Sequence, residues 1–195
     1  MALPNIGLFG YAGAGKDTVA EYLVSRYQYT RVAFADPLKE MALSIDPRIP
    51  QGYWGAGGTL ASIVECHGWD EAKRSWPEVR RFLRSLGKTM RDRDPDYWLN
   101  IALRKIYTAK KLNMPVVVTD VRHENEFETL RLFGRVQEAH AFTMVRIDRP
   151  GTDTGIDPES GALIKSVTPD WTLHNRGSVE DLYGALNVLI NRNTK

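Results

Sequence analysis

Gly10-Tyr-Ala-Gly-Ala-Gly-Lys16 carries the spacing GxxxxGK, and Asp17 and Thr18 follow it directly. Each residue type there has a chemical use. Glycine lets the main chain take positive φ and come close to a ligand. A run of N–H groups opening a helix offers a ready anion site, and the lysine ammonium reaches further oxygens. The chemistry this suits is the grip on the β- and γ-phosphates of a nucleotide, with Gly13, Gly15 and Lys16 as the core of the loop. The position after the lysine usually holds Ser or Thr, whose hydroxyl binds Mg²⁺. Here it is Asp17, so two readings stand. Either Asp17 holds the metal through its carboxylate, directly or through water, or Thr18 supplies a hydroxyl one place later.

Two further stretches could complete a phosphoryl-transfer site. Arg80, Arg81, Arg84, Arg91 and Arg93 form a cationic cluster, partly offset by Asp92, Asp94 and Asp96. A charge run of this kind is often a solvated helix face. Guanidinium forks also grip phosphate oxygens in pairs, which a second phosphorylated substrate would require. The other stretch is Asp120-Val-Arg122, at the tip of the β-branched run Met114–Thr119. A carboxylate placed there can orient metal-bound water or take a proton, and Arg122 can neutralise a phosphoryl group in transfer. Lys39 stands in the first turn of a helix beginning near Asp36-Pro37, against the dipole preference for acids, which favours a ligand role.

The elements that must hold these groups read as alternating strands and helices. Ile6–Phe9, Arg31–Phe34, Met114–Thr119, Phe142–Asp148 and Trp171–His174 suit strands, the third as a buried parallel one. Helices are expected after the glycine loop, from Asp36 as N-cap, over Pro77–Leu86 with Gly87 as a stop or a point of close approach, from Asp96, over His123–Phe133, and from Ser178. The last pairs Ser178 with Asp181 as a cap and turns Val179, Leu182, Leu186, Leu189 and Ile190 inward. Residues 46–58, rich in Gly and Pro, read as irregular, as do residues 151–167.

Composition sets limits. With 26% charged and 43% hydrophobic residues, the 195-residue chain has ordinary globular usage and material for one domain. A formal charge of +2 is too small to argue for general nucleic-acid or membrane binding. Cys66, the single cysteine, excludes an intrachain disulfide and is expected as a small core residue. His67, His123, His140 and His174 lack the spacing of zinc ligands. The N-terminal run has no basic segment of a secretion signal, so a cytoplasmic location is expected, that of a host cell if phage-encoded.

The motifs together resemble the phage-type deoxynucleoside monophosphate kinases, relatives of the P-loop nucleotide kinases. The likeness rests on Gly10–Thr18 with its GKDT ending, Phe34-Ala-Asp-Pro-Leu-Lys39, Arg80–Gly87 with Tyr97-Trp98, Thr119-Asp-Val-Arg122 with Glu126, Arg149-Pro-Gly151 and Asn175–Leu182. It covers nearly the whole chain. The resemblance implies an α/β, three-layer P-loop kinase fold: a central, mainly parallel sheet flanked by helices, within a single domain of residues 1–195. A helical substrate-binding insertion would occupy about residues 36–110. The implied reaction is ATP-dependent, Mg²⁺-assisted phosphorylation of a deoxynucleoside 5′-monophosphate to the diphosphate. By the same likeness Gly13, Ala14, Gly15, Lys16, Asp17 and Thr18 would take ATP and magnesium. Leu38, Lys39, Arg80, Arg81, Gly87, Trp98, Asp120, Arg122 and Glu126 would face the acceptor, and Lys16, Asp120 and Arg122 would act in catalysis. Small-molecule nucleotides are the expected partners, with no nucleic acid and no membrane, and a homodimer stays open. Holding two anions away from water calls for a closing segment, in residues 45–60 or around Arg149. Competing readings are a kinase of another small acceptor, of the dephospho-coenzyme A or phosphomevalonate type, and a non-catalytic ATP-binding regulatory module.

Overall fold

Five short strands, each apolar where it is covered on both sides, form one parallel sheet. They are β1 (Asn5–Phe9), β2 (Thr30–Val32), β5 (Val116–Val118), β6 (Phe142–Asp148) and β7 (Trp171–His174), in the order β2-β5-β1-β6-β7. The computed structural model describes residues 3–53, 55–136, 141–153 and 158–193. Two compact units divide the chain, one of Met1–Ala33 with Ala102–Lys195 and one of Phe34–Ile101.

The first unit is built on the sheet. Pairing of Ile6 with Thr143 and Leu8 with Val145 keeps β1 and β6 in register, so Ile6, Leu8, Val145 and Ile147 share one apolar face. Against it pack α1 (Lys16–Tyr27) through Val19 and Leu23, and α8 (Val179–Asn193) through Leu182, Leu186 and Leu189. Phe9 meets Phe127 of α6 (Glu124–Val136) edge to face, with ring centroids 5.4 Å apart. Gly7 lies so close to Met144 that a Cβ would sit 2.8 Å from its sulfur. Ser178 caps α8 as expected, its Oγ accepting from Asp181 N while Asp181 accepts from Ser178 N. Val179, however, is exposed, and the buried face of that helix starts at Leu182. A further helix, α7 (Pro158–Ser166), occupies sequence expected to be irregular and buries Leu163; residues 154–157 of that stretch, like His140, lie outside the described residues.

The second unit is helical. It contains α2 (Ala35–Ile45), α3 (Leu60–Ser75), α4 (Pro77–Arg93) and the start of α5 (Tyr97–Lys111) around Leu60, Ile63, Ala72, Trp76 and Val79. Gly68, at φ 74°, breaks α3 into two stretches, a backbone turn that glycine takes without strain. Residues 46–58 differ from a bare loop. Arg48–Ile49 (β3) pairs antiparallel with Gly58–Thr59 (β4), and Gly52 and Gly55 press on Trp76. Cys66 is exposed, not a core residue, since Ile63 and Ala72 take the inward positions of α3. Gly87 does not stop α4, which runs six residues past it to Arg93. Asp36 is not an N-cap; the helix begins two residues earlier than that cap would set it, at Ala35 with Phe34 in the cap position.

Candidate active site

The glycine loop joins β1 to α1 and owes its path to three left-handed residues. Gly10 has φ 141°, and a Cβ there would stand 2.4 Å from the carbonyl oxygen of Ile147, so only glycine lets the chain pass β6. Gly13 has φ 77° and open space around it. Gly15, at φ 107°, is the N-cap of α1, and no side chain caps that helix. The loop therefore leads straight into the first turn of α1, at the positive end of the helix dipole. Ala14 is fully buried and its N–H donates to Tyr11 O at 3.2 Å, closing the turn. Lys16 folds back over the loop, Nζ donating to Gly10 O and Tyr11 O at 2.8 Å each. Asp17 is exposed and Thr18 half-buried, so both offer an oxygen beside the loop.

The strand tip beyond β5 lies in the same unit. Thr119 N–H donates to Val32 O and Val121 N–H to Leu8 O, which extends the sheet's bonding past β5 on both flanks. Val121 is buried, Asp120 half-buried and Arg122 exposed. Glu126 is 5% exposed, and its Oε2 accepts from Arg122 N at 2.8 Å and His123 N at 3.1 Å. Set three places into α6, this carboxylate does for the first turn what an acid at a helix N-terminus does generally, taking N–H groups that have no intrahelical partner.

Two residues without an assigned role also touch the loop. Arg149, just after β6, donates from Nη1 to Gly13 O at 3.4 Å, and Asn175, after β7, donates from Nδ2 to Ala14 O at 2.8 Å. Both open stretches that carry the family resemblance, and each follows the carboxyl end of a parallel strand, where ligands of open α/β sheets bind. Nearby, Asp148 gathers cations. Its Oδ2 lies 3.1 Å from His174 Nδ1 and 3.6 Å from Arg176 Nη2, and its Oδ1 accepts from Arg146 Nη2 at 3.2 Å. Partial burial pushes this carboxyl up, but the hydrogen bonds from His174 and Arg176 and the charges of Arg146 and His174 outweigh it and hold Asp148 below the usual range.

In the second unit, Leu38 and Lys39 lie half-buried on α2, with Lys39 Nζ 5.7 Å from the centroid of the Trp69 ring, within cation–π reach. Arg80 and Arg81 are exposed on α4. Arg80 Nε donates to Lys73 O at 2.9 Å, and Arg81 pairs with Glu78 one turn earlier. Surface pairs of this kind contribute little and release their guanidinium readily to a better anion. Gly87 is buried, and a Cβ there would meet Leu38 at 3.5 Å and the Arg91 guanidinium at 3.4 Å. Trp98 is only 3% exposed and donates from Nε1 to Gly87 O at 3.3 Å. Among the described residues no group of three or more His, Cys, Asp or Glu side chains forms a ready metal cage, and no helix is long and apolar enough to cross a membrane.

Comparison with known proteins follows the same lines. The family model described as deoxynucleotide monophosphate kinase matches residues 62–186, more than half of the chain. A candidate deoxynucleotide monophosphate kinase of Acanthamoeba polyphaga mimivirus is 28% identical over 200 residues, covering 93% of each chain. Among solved structures, dephospho-CoA kinase from Campylobacter jejuni is similar with a TM-score of 0.53 at 12% identity, over 97% of this chain and 98% of that one. A sugar kinase from Janibacter sp. gives a TM-score of 0.51 at 15% identity, over 95% and 94%. These two likenesses are of fold: a parallel sheet, flanking helices and the loop of a P-loop kinase.

Proposed function

We propose, since this chain belongs to the deoxynucleotide monophosphate kinase family, that it transfers the γ-phosphoryl group of ATP to a deoxynucleoside 5′-monophosphate, giving ADP and the diphosphate. The observation that carries the reading is the loop itself: Lys16 folded over a glycine loop that joins the end of a central strand to the N-terminus of α1. Phosphoryl transfer asks the protein for positioning and for stabilisation of negative charge, and little covalent work.

The roles follow from that demand. The amides of Gly13, Gly15 and Lys16 take the donor's phosphates while Ala14, its N–H held by Tyr11 O, keeps the turn closed, and Lys16 exchanges its two carbonyl partners for β- and γ-oxygens. The nucleophile is an oxygen of the acceptor's phosphate, whose second pKa of about 6 leaves it ionised at neutral pH. No proton has to move in that step: one P–O bond forms to the acceptor, one breaks to ADP, and the charge passes with it. Asp120 therefore serves as an orienting carboxylate and not as a base. Arg122, set by Glu126, neutralises phosphoryl oxygens in transfer. Leu38, Lys39, Arg80, Arg81, Gly87 and Trp98 are assigned to the acceptor, with Arg80 and Arg81 gripping its phosphate and Trp98, buried, shaping the wall through Gly87.

The donor set fits Mg²⁺ brought in with the nucleotide. That ion is usually bound by one or two carboxylates plus substrate phosphates and water, not by an all-protein cage. Asp17, Thr18 and Asp120 supply hard oxygen donors of that kind. Bound there, the cation would offset charge on the β- and γ-oxygens.

The test is a coupled assay of ADP release against all common ribo- and deoxyribonucleoside monophosphates, with dephospho-coenzyme A and phosphomevalonate in the same panel. Turnover confined to deoxynucleoside monophosphates supports the proposal. Turnover on another acceptor moves the chain to a different kinase reaction, and ATP binding by calorimetry without any turnover makes it a regulatory module.

A further inference from the structure

The turn between β7 and α8 has no part in the assignments above, yet it reaches into the phosphate loop. Asn175 N–H donates to Asp148 O at 2.8 Å, which pins the residue to the end of β6, and its side-chain Nδ2 donates to Ala14 O at 2.8 Å. One residue beyond Asp148, Arg149 takes Gly13 O. Two successive carbonyls of the loop are thus drawn outward by side chains from two different strand ends. A trans peptide carries its C=O and the following N–H on opposite sides, and among the described residues no peptide bond is cis. Drawing Ala14 O towards Asn175 therefore turns Gly15 N–H the other way. Gly15 also admits no side chain here, for a Cβ would lie 2.7 Å from Asn175 Nδ2.

We infer that Asn175 is a positioning residue for the phosphate donor, its carboxamide fixing the Ala14–Gly15 peptide so that Gly15 N–H is presented to the nucleotide. The inference rests on the reading of the loop as the ATP site. Asparagine suits the task because its amide donates to a carbonyl without charge. An aspartate would set two acceptors against each other and place a negative group beside the phosphates.

Calorimetric titration with MgATP, steady-state KM for each substrate and thermal melting, applied to the wild type, Asn175→Ala, Asn175→Ser and Asn175→Asp, test this. Loss of one such hydrogen bond predicts ATP binding about five- to tenfold weaker in Asn175→Ala. KM for ATP should rise in step and KM for the monophosphate should stay within about twofold. Asn175→Ser should lie between wild type and Asn175→Ala, and Asn175→Asp should be the worst of the three. ATP affinity unchanged in all three variants of a wild type that binds ATP overturns the inference alone. Equal damage to both KM values with a matching fall in melting temperature makes Asn175 a purely structural residue and overturns it too, as does failure of all three to fold. A wild type that binds no ATP removes the reading of the site and the inference with it.

Discussion

The carboxylate of Glu126 accepts the main-chain N–H of Arg122 at 2.8 Å, so a buried acid fixes the point from which an exposed guanidinium starts. Glu126→Ala would strand the N–H groups of Arg122 and His123 together. The expected cost is about 1–3 kcal/mol of stability, read from urea denaturation, with turnover falling further than stability explains. Glu126→Gln keeps one neutral acceptor oxygen and should lose less on both counts. Equal turnover in all three proteins would remove Glu126 from the site.

Lys16 offers a cleaner separation of function from fold. Its ammonium is bonded to two loop carbonyls and lies half-buried, so Lys16→Met should change thermal melting little. Turnover should fall by at least about 100-fold, the scale for removing one charge-stabilising donor. A variant that melts normally and still turns over would refute the assigned role.

The loop glycines should rank by what surrounds them. At Gly10 a methyl group meets a carbonyl oxygen of β6 on a rigid backbone, so Gly10→Ala should yield little folded protein. Gly13 has the same hand of φ but nothing within 4 Å, and Gly13→Ala should cost only the strain of the left-handed region, about 1–2 kcal/mol. Circular dichroism and melting of the two variants check the order.

Acid should weaken the first unit through Asp148. Its carboxyl is held below the ordinary aspartate value of 3.8, so below that value the unfolded chain binds the proton before the folded one does. The stabilisation is complete above the unfolded pKa and is lost as pH falls through the folded one. Urea midpoints should therefore drop between pH 5 and about pH 3 more steeply in the wild type than in Asp148→Asn. Parallel curves would show that Asp148 carries none of this dependence.

The strands were legible from their apolar and β-branched runs. Phe142–Asp148 and Trp171–His174 are found with the expected bounds, because a continuous apolar or alternating run has few other places to go. The loop was legible through Gly10 and Gly15, whose types are dictated by backbone geometry, and through Lys16, whose ammonium folds back onto the loop. Errors fell where a tertiary contact overrides a local preference. Gly87 remains inside α4, and its carbonyl takes the Trp98 indole from eleven residues away. The β3–β4 pair forms among glycines because Trp76 fills the space their missing side chains leave. Cys66 sits outward on α3 while Ile63 and Ala72 turn in, a choice of helix face that one residue cannot announce. Asn175 and Arg149 stand in stretches that carry the resemblance, but their bonds to the loop were not legible, since nothing local ties residues 149 and 175 to residues 13 and 14.

β1 is hemmed by β6 along all five of its residues and by β5 at Ile6 and Gly7. A strand so placed cannot fray from an edge, and parting it from both neighbours means melting the sheet. The glycine loop hangs directly from its end. Heat inactivation and global denaturation should therefore arrive as one event, with no folded but inert species between them.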